Sequence, residues 1–285
     1  MKISTEIASL AKLVGEERAV ELIAKAGFDA WDFSLFDLAR YDRATKDVMD
    51  TNHPLRGDYV SFAKKLRQIG LDNGIVCNQS HAPFPVKCPG IRDALKRALE
   101  CTAIAGGNIC IIHPDNNKSA EENAEMYFEL LPFAKECGVK IATENMWNWD
   151  KEKDEAKAAA CSHHDDFLAH IKAVNDPYLV ACLDLGHAEM KGLNTTAVDM
   201  IHTLGDSLKA LHIHDNDRWH DSHQLPFEMN MDFAPIVKAL KDINYGGYFT
   251  LEADSYLSAW KDDPKTGIKN MAAVARRLAD MFEAI

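Results

Sequence analysis

The chain alternates between short apolar runs and longer amphipathic segments eight times, from its first residues to its last. Short apolar runs are typical of buried parallel strands, and apolar residues at helical spacing are typical of helices packed on one face. Glycine follows several helical segments, as at Gly27 and Gly138, where a left-handed cap ends a helix. Eight such units in 285 residues, with no linker, predict an α/β (β/α)8 TIM barrel forming a single domain over residues 1–285.

The boundaries of the predicted elements follow from this pattern. Strands are predicted at about 2–8, 30–35, 74–81, 108–114, 140–146, 179–185, 208–214 and 248–253, and helices at about 16–26, 59–69, 91–105, 120–137, 165–174, 195–204, 233–243 and 267–282. Two long connections, 36–58 and 146–164, are predicted to form lids over the barrel mouth. A doubly wound sheet usually has a Gly-rich phosphate turn after its first strand, and residues 4–10 contain no glycine.

Charge and cysteine usage limit the classes of function. A formal net charge of −12 repels phosphates, so we expect no nucleic-acid partner. No apolar run reaches the roughly 18 residues of a membrane span, so we expect no membrane partner. The seven cysteines include no CxxC pair and suit reduced thiols. Because the first residues also lack the pattern of a signal peptide, we expect a cytoplasmic protein.

Four predicted strands, the fifth to the eighth, end in a carboxylate or an imidazole. These groups are Glu144, Asp184, His212 and Glu252. A charge at the end of a buried strand is costly unless something compensates it, and the C-terminal ends of barrel strands meet at one mouth. Three carboxylates and one imidazole favour Mn²⁺, Mg²⁺ or Co²⁺ over a structural Zn²⁺. The sequence therefore predicts one divalent cation, with Mn²⁺ as the first expectation and Mg²⁺, Co²⁺ or Zn²⁺ as alternatives.

Further polar groups lie at or just after the ends of predicted strands, namely His81, His113, His187 and Arg218. A single histidine in such a place is more often a hydrogen-bonded structural residue than a ligand. His212 and His214 are two residues apart and share a strand face, so either could be the imidazole ligand. The spacing to Arg218 favours His212.

Three stretches resemble the sugar phosphate isomerase/epimerase group of xylose isomerase-like barrels, which is related in fold to endonuclease IV-type enzymes. They are Ser-His-Ala-Pro-Phe at 80–84, Leu-Asp-Leu-Gly-His at 183–187 and Leu-His-Ile-His-Asp-Asn-Asp-Arg at 211–218. The resemblance covers nearly the whole chain. It implies that Glu144, Asp184, His212 and Glu252 hold one divalent cation, as the matching residues do in ketose 3-epimerases. It also implies that His187 and Arg218 contact substrate oxygens.

The implied activity is isomerisation or epimerisation of a sugar or sugar phosphate. Removal of a proton beside a carbonyl gives an enediolate, whose negative charge a cation stabilises. Glu144 and Glu252 would be the two catalytic carboxylates that take and return the proton. Asp150 lies six residues after Glu144, where related epimerases have a second substrate-contacting acid. Similar barrels are commonly dimers or tetramers, so a homodimer or homotetramer is expected.

Other functions stay open at this point. Asp221-Ser222-His223, together with His81 and His113, resembles the three-zinc site of endonuclease IV-type enzymes, which makes Asp221 and His223 candidates for an additional metal site. The alternatives are a metal-dependent phosphodiester hydrolase, a C-glycoside deglycosidase subunit and a non-catalytic sugar-binding barrel. The net charge argues against DNA as a substrate. Only Arg218 and Lys191 are placed to bind a phosphate, so a free ketose is an equally good expectation.

Overall fold

The computed structural model describes residues 1–49, 51–88 and 90–285. Within these residues eight parallel strands form a barrel: β1 (Ile3–Glu6), β2 (Ala30–Ser34), β3 (Val76–His81), β4 (Ile109–Ile111), β5 (Lys140–Glu144), β6 (Leu179–Asp184), β7 (Leu208–His212) and β8 (Phe249–Leu251). Neighbouring strands pair in chain order from β1 to β7, and β8 pairs with β1. The barrel closes just beyond β7, where Ile213 bridges to Leu251. The predicted (β/α)8 fold is confirmed.

Helices alternate with the strands and surround the barrel. They are α1 (Ala8–Val14), α2 (Glu16–Ala26), α3 (Tyr59–Asp72), α4 (Ile91–Ala105), α5 (Ala120–Cys137), α6 (His164–Val174), α7 (Leu185–Ala188), α8 (Ala197–Leu204), α9 (Phe233–Asp242), α10 (Asp254–Ser258) and α11 (Pro264–Glu283). No helix among these is long and apolar enough to cross a lipid bilayer.

Several boundaries differ from the prediction, and each difference has a local cause. The helices α1, α7 and α10 were not predicted because they begin within three residues of the end of a strand and are too short for a periodic pattern. The Asp184 side chain caps α7 by accepting a hydrogen bond from the backbone N–H of His187. The predicted strands 108–114 and 248–253 end early, so His113 and Glu252 lie on the loops that follow them.

Each predicted lid contains a short antiparallel hairpin. In the first, Tyr41–Asp42 pairs with Asp47–Val48, and in the second, Asn148–Asp150 pairs with Glu155–Lys157. Asp50, within the first lid, lies outside the described residues. The second hairpin packs on the loop after α7 through an apolar cluster that contains Ala156 and Met190.

The barrel interior is layered, and the layering determines where charges can lie. Its middle layer is a cluster of apolar residues on β4 to β7, among them Ala142, Cys182 and Ala210. Because strand side chains alternate, the next inward positions on β5, β6 and β7 belong to Glu144, Asp184 and His212. These three groups therefore form the layer at the C-terminal mouth. The larger apolar core lies between the strands and the surrounding helices.

Candidate active site

The register of the strands brings the predicted ligands into one buried layer. Asp184 of β6 lies opposite His212 of β7, and Glu144 of β5 lies opposite Cys182. Glu144, Asp184 and His212 are all essentially inaccessible to solvent. The structure divides the surrounding histidines and carboxylates into two groups.

The first cluster consists of His81, His113, Glu144, His212 and Glu252. His212 Nδ1 lies 2.8 Å from Glu144 Oε1 and 3.3 Å from Glu252 Oε2. His113 Nε2 lies 3.0 Å from Glu144 Oε2 and 2.7 Å from His81 Nε2. His81 Nδ1 lies 3.6 Å from Glu252 Oε1. Two carboxylates and three imidazoles therefore converge at the mouth.

Mutual electrostatics keep these carboxylates ionised. Burial opposes ionisation of Glu144, but the nearby His212 and His113 outweigh it and hold its pKa well below the ordinary range. Burial likewise opposes ionisation of Glu252, and His212 and His81 lower its pKa. Burial also opposes protonation of His212, yet Cys182 and the two glutamates raise its pKa well above the usual value. Both glutamates are thus available as oxygen ligands or as bases.

Asp32 contacts the first cluster through the nitrogen of His212 that faces away from Glu144. It is a fully buried residue of β2 whose Oδ2 lies 3.4 Å from His212 Nε2 and accepts a hydrogen bond from Gln79 Nε2 at 2.9 Å. A carboxylate on the far nitrogen of an imidazole fixes the tautomer and the ring orientation. His212 is therefore oriented with Nδ1 toward Glu144 and Glu252.

The second cluster consists of Asp184, His187, His214, Asp221 and His223. His214 Nε2 lies 3.1 Å from Asp184 Oδ1 and 3.4 Å from Asp221 Oδ1. His223 Nε2 lies 3.1 Å from Asp221 Oδ1. His187 Nε2 lies 3.3 Å from Asp221 Oδ2. Asp221 and His223 were predicted as candidates for an additional metal. The structure brings them together with Asp184, His187 and His214.

The second cluster also concentrates charge. Burial opposes protonation of His187, but Asp184 and Asp221 raise its pKa to about 10. Burial similarly opposes protonation of His223, and Asp221 raises its pKa to about 11. Burial works against ionisation of Asp221 itself, while His187 and His223 lower its pKa. The second cluster thus sets two carboxylates among three imidazoles in a largely buried place.

The two histidines of the Leu-His-Ile-His stretch belong to different clusters. His212 faces Glu144 and Glu252, whereas His214 faces Asp184 and Asp221. His214 lies directly over Gly186, where an added Cβ would come within 2.0 Å of the ring carbon Cε1. The glycine of the Leu-Asp-Leu-Gly-His stretch therefore makes room for His214.

Aromatic side chains line the mouth on two sides. On one side Phe84 stacks on His113 with ring centroids 4.8 Å apart, and Phe36 meets Phe84 edge to face. On the other side Trp147 meets Trp149 edge to face at 6.2 Å. Aromatic rings of this kind can cover the C–H face of a sugar.

The hairpin at 148–157 is joined closely to the neighbouring loop. An added Cβ at Gly192 would lie 2.0 Å from the carbonyl oxygen of Ala156, and Gly192 has a φ of 101°. On the same loop Lys191 places its ammonium 3.6 Å from the centre of the Trp219 ring.

The structure does not bring Arg218 and Asp150 into the clusters. Arg218 has a φ of 69°, and its Nη2 pairs with Glu189 Oε2 at 3.1 Å while half of its side chain is exposed. The Asp150 carboxylate accepts hydrogen bonds from the backbone N–H groups of Glu152 and Lys153 in the turn of the hairpin. Both have partners within the protein, and their contacts with a substrate stay predictions.

Sequence reasoning missed two acidic groups. Asp32 lies inside an otherwise apolar strand, and a charge in the middle of a buried run was the signal that could have revealed it. Glu6 ends β1, where burial raises its pKa to about 7 although Ser9 counteracts the rise. Its carboxylate accepts a hydrogen bond from the backbone N–H of Ser9 and so supports the first turn of α1.

Several buried atoms at the mouth have no hydrogen-bond partner among the described residues. They are Glu144 Oε2, Asp184 Oδ2, His214 Nε2 and Asp221 Oδ1. A buried polar atom without a partner is costly, and a cation bound to it removes that cost. The donor set and these free atoms fit a divalent cation.

The comparison with known families agrees with this architecture. Residues 20–278 match the family described as xylose isomerase-like TIM barrels. The chain belongs to this family.

Individual relatives of this barrel are distant. It is 24% identical over 267 residues to an uncharacterised protein of Methanocaldococcus jannaschii, with 85% of this chain and 80% of that protein covered. It is 22% identical over 275 residues to a D-psicose 3-epimerase of Enterocloster bolteae, with 86% and 82% covered. Among solved structures, a D-allulose 3-epimerase from Methylomonas sp. gives a TM-score of 0.70 at 18% identity, covering 98% of this chain and 97% of that one. At this identity the structural likeness shows the shared fold.

Proposed function

We propose that this barrel is a divalent-cation-dependent isomerase or epimerase of a sugar or sugar derivative, acting at a carbon next to a carbonyl. The observation that carries the proposal is the convergence of Glu144 and Glu252 on one nitrogen of His212, at 2.8 and 3.3 Å. Two ionised carboxylates at one buried point suit both the binding of a cation and the transfer of a proton. The similarity to a D-psicose 3-epimerase and a D-allulose 3-epimerase supports the same reaction class.

The ligands of this cation would be Glu144, Asp184, His212 and Glu252. The oxygen-rich set favours Mn²⁺, with Mg²⁺, Co²⁺ or Zn²⁺ as alternatives. A bound cation would stabilise the negative charge that develops on the substrate oxygens when the proton leaves. Asp32 would hold His212 in the ligating orientation.

Proton transfer would use the two glutamates. One carboxylate takes the proton from the carbon beside the carbonyl, and the other returns a proton to the planar intermediate. His81 and His113, whose Nε2 atoms are 2.7 Å apart, would bind substrate hydroxyls beside Glu144. Phe84 would cover the apolar face of the sugar and exclude water.

The surroundings of the mouth support a sugar without a phosphate group. Arg218 is paired with Glu189, and Lys191 lies over Trp219. The two cations that the sequence placed for a phosphate are therefore engaged with other side chains. A free ketose or an uncharged sugar derivative is the better substrate class.

The test is hydrogen exchange of ketohexoses in D₂O with Mn²⁺-loaded protein, followed by NMR. The proposal predicts deuterium at the carbon beside the carbonyl and formation of the epimer or the aldose. Glu144→Gln and Glu252→Gln should each abolish turnover, because each removes a base. Glu125→Gln on the exposed face of α5 is the matched control and should retain activity.

Full epimerase activity in Glu144→Gln would contradict the mechanism. Retained sugar binding with no exchange in the wild-type protein would instead indicate a non-catalytic sugar-binding barrel. Release of an aglycone from an oxidised C-glycoside would indicate a deglycosidase subunit.

A second candidate, metal-dependent phosphodiester hydrolysis, is favoured by one observation. Asp221 and His223 join His187 in a cluster next to the first one, as an enzyme with several metal ions would require. Hydrolysis of bis-p-nitrophenyl phosphate by Zn²⁺-loaded protein, without ketose exchange, would establish this alternative.

A further inference from the structure

We propose that Gln79 is a positioning residue: through Asp32, it holds His212 in the orientation that the imidazole takes at the first cluster. Gln79 Nε2 donates a hydrogen bond to Asp32 Oδ2 at 2.9 Å, and the same oxygen lies 3.4 Å from His212 Nε2. Residues beyond the ligands tune a cation site by fixing the direction of the ligating rings. The inference rests on the proposed function in one respect, namely that His212 is a ligand of the cation.

A β-bulge turns Gln79 toward the inside of the barrel. Trp31 of β2 pairs with Cys77 of β3. The next pair joins Asp32 to Gln79, so Asn78 is an extra residue of β3 between the two pairs. Side chains of a regular strand alternate between its two faces, whereas a bulge interrupts the alternation. Asn78 and Gln79 therefore both face the interior, where Asn78 Nδ2 donates a hydrogen bond to Gln79 Oε1 at 3.2 Å.

The same bulge sets the directions of the two residues that follow. Ser80 points outward and hydrogen-bonds Thr102 of α4. His81 points inward, and its Nε2 lies 2.7 Å from His113 Nε2 in the first cluster. Had the alternation continued without the extra residue, Ser80 would face inward and His81 outward. Because bulges redirect side chains next to active sites, one irregularity supplies both a residue of the mouth and the amide beneath it.

The neighbours of Gln79 determine which end of its amide meets Asp32. The oxygen Oε1 accepts hydrogen bonds from Asn78 Nδ2 at 3.2 Å and from Thr250 Oγ1 of β8 at 3.4 Å. The nitrogen Nε2 is thereby directed to the carboxylate, which accepts its hydrogen. The side chains of Gln79, Asn78 and Thr250 are all buried. The amide is thus held at both ends as a fixed donor to Asp32.

Asp32 has few other contacts that could fix its carboxylate. Among the residues that the structure describes, it accepts hydrogen bonds from Gln79 and His212, both at Oδ2, while Oδ1 is buried without a partner. Without the amide, only the 3.4 Å contact to His212 would remain for a fully buried carboxylate. A buried charge is costly unless hydrogen bonds compensate it. Loss of the Gln79 donor should therefore let the Asp32 side chain turn and release the imidazole from its orientation.

The test is the affinity for Mn²⁺, measured by isothermal titration of Gln79→Met. Methionine keeps the length of the side chain and removes the donor, so we expect the affinity to fall about tenfold. Gln68→Met on α3 is the matched control, because Gln68 Nε2 donates to Asp72 Oδ1 at 2.7 Å on the exposed surface. It breaks the same kind of hydrogen bond outside the barrel and should leave the affinity within about twofold. Wild-type affinity in Gln79→Met would overturn the proposal.

A double-mutant cycle with Asp32→Asn distinguishes positioning from a general loss of packing. Since Gln79 acts through Asp32, adding Gln79→Met to Asp32→Asn should lower the affinity further by less than about twofold. A structural role would give falls of the same size in both backgrounds. Additive losses in the double variant would therefore overturn the proposal.

Thr250→Val tests the same arrangement from the other end of the amide. It removes the hydroxyl that donates to Gln79 Oε1 and leaves the hydrogen bond between Gln79 and Asp32 in place. We expect the Mn²⁺ affinity to fall by a factor between about two and ten. If Gln79→Met does not fold, this variant decides, and wild-type affinity in it overturns the proposal.

The imidazole Nε2–H of His212 gives a readout by proton NMR without any cation. This group is fully buried and directed to Asp32, so we expect a downfield resonance that is protected from exchange with solvent. Gln79→Met should shift or broaden this resonance, and Gln68→Met should not. That result in a protein that binds no divalent cation would support the positioning role and contradict the proposed function. A resonance that Gln79→Met leaves unchanged would overturn the positioning role alone.

Discussion

The carboxylate of Asp32 faces the imidazole of His212, with 3.4 Å between Oδ2 and Nε2. Asp32→Asn removes the negative charge that orients this ring, so we expect divalent-cation affinity at the first cluster to fall about 10- to 100-fold. Isothermal titration with Mn²⁺ measures this change. Ser4→Ala removes a buried hydrogen bond of the barrel interior without touching His212, and it should leave the affinity within about twofold. Unchanged affinity in Asp32→Asn would exclude this orienting role.

Gly186→Ala should destabilise the protein because the new methyl group meets the His214 ring at 2.0 Å. Overpacking of this kind costs about 1–3 kcal/mol in the free energy of unfolding. Urea denaturation compares this variant with Gly246→Ala, where an added Cβ meets nothing within 4 Å. We expect the control to change stability by no more than about 0.5 kcal/mol, and equal losses in both variants would contradict the packing argument.

The His53–Glu16 pair should make stability depend on pH in a defined window. The hydrogen bond to Glu16 raises the pKa of His53, and the same bond lowers the pKa of Glu16. The histidine contribution is complete below its unfolded pKa of about 6.5 and is lost as the pH rises through the higher folded pKa. The glutamate contribution is complete above its unfolded pKa of about 4.3 and is lost as the pH falls through the lower folded pKa.

Glu16→Gln should therefore cost most between about pH 4.5 and 6.5 and least near pH 9. Because both side chains are partly exposed, the difference should be about 0.5–1 kcal/mol in urea unfolding. Glu17→Gln breaks a pair with Lys65, whose charge persists across this range, so its cost should not vary in the same way. A cost for Glu16→Gln that is constant from pH 5.5 to 9 would disprove the coupling.

Phe84→Ala should weaken substrate binding at the mouth. Phe84 is 44% exposed although it stacks on His113, so part of the ring is accessible to a ligand. Loss of an aromatic contact worth about 0.5–1.5 kcal/mol predicts an increase of about 2- to 12-fold in KM with little change in kcat. Phe128→Ala, which truncates a 53% exposed ring on α5, should leave the kinetics unchanged. Equal KM values in all three proteins would show that Phe84 does not contact the substrate.

Much of the fold could be predicted because its signals are local. Alternation of apolar runs and helical segments specifies eight strand–helix units, and the ends of parallel strands meet at one mouth. The sequence also predicted that three site residues lie together, namely Glu144, Asp184 and His212. Side chains of a strand point inward at every second position, and these residues are the last inward ones on β5, β6 and β7.

The division into two clusters depends on tertiary geometry and could not be predicted. His212 and His214 share a strand face, but in the folded protein His214 packs over Gly186 and lies next to Asp221. The partners of Arg218 are likewise set by a loop with a left-handed backbone, which sequence periodicity does not describe. The short helix α7 was missed since one turn has no periodic pattern.

The contact between Gly192 and the carbonyl oxygen of Ala156 leaves no space for a side chain. The hairpin that presents Trp149 and the loop that presents Lys191 are therefore seated on each other. If the proposed sugar binding closes the mouth, we expect the two segments to move together as one rim. A change of substrate preference would then require compatible substitutions in both segments. Exchange of the hairpin alone between relatives should disturb its packing on the loop that carries Gly192.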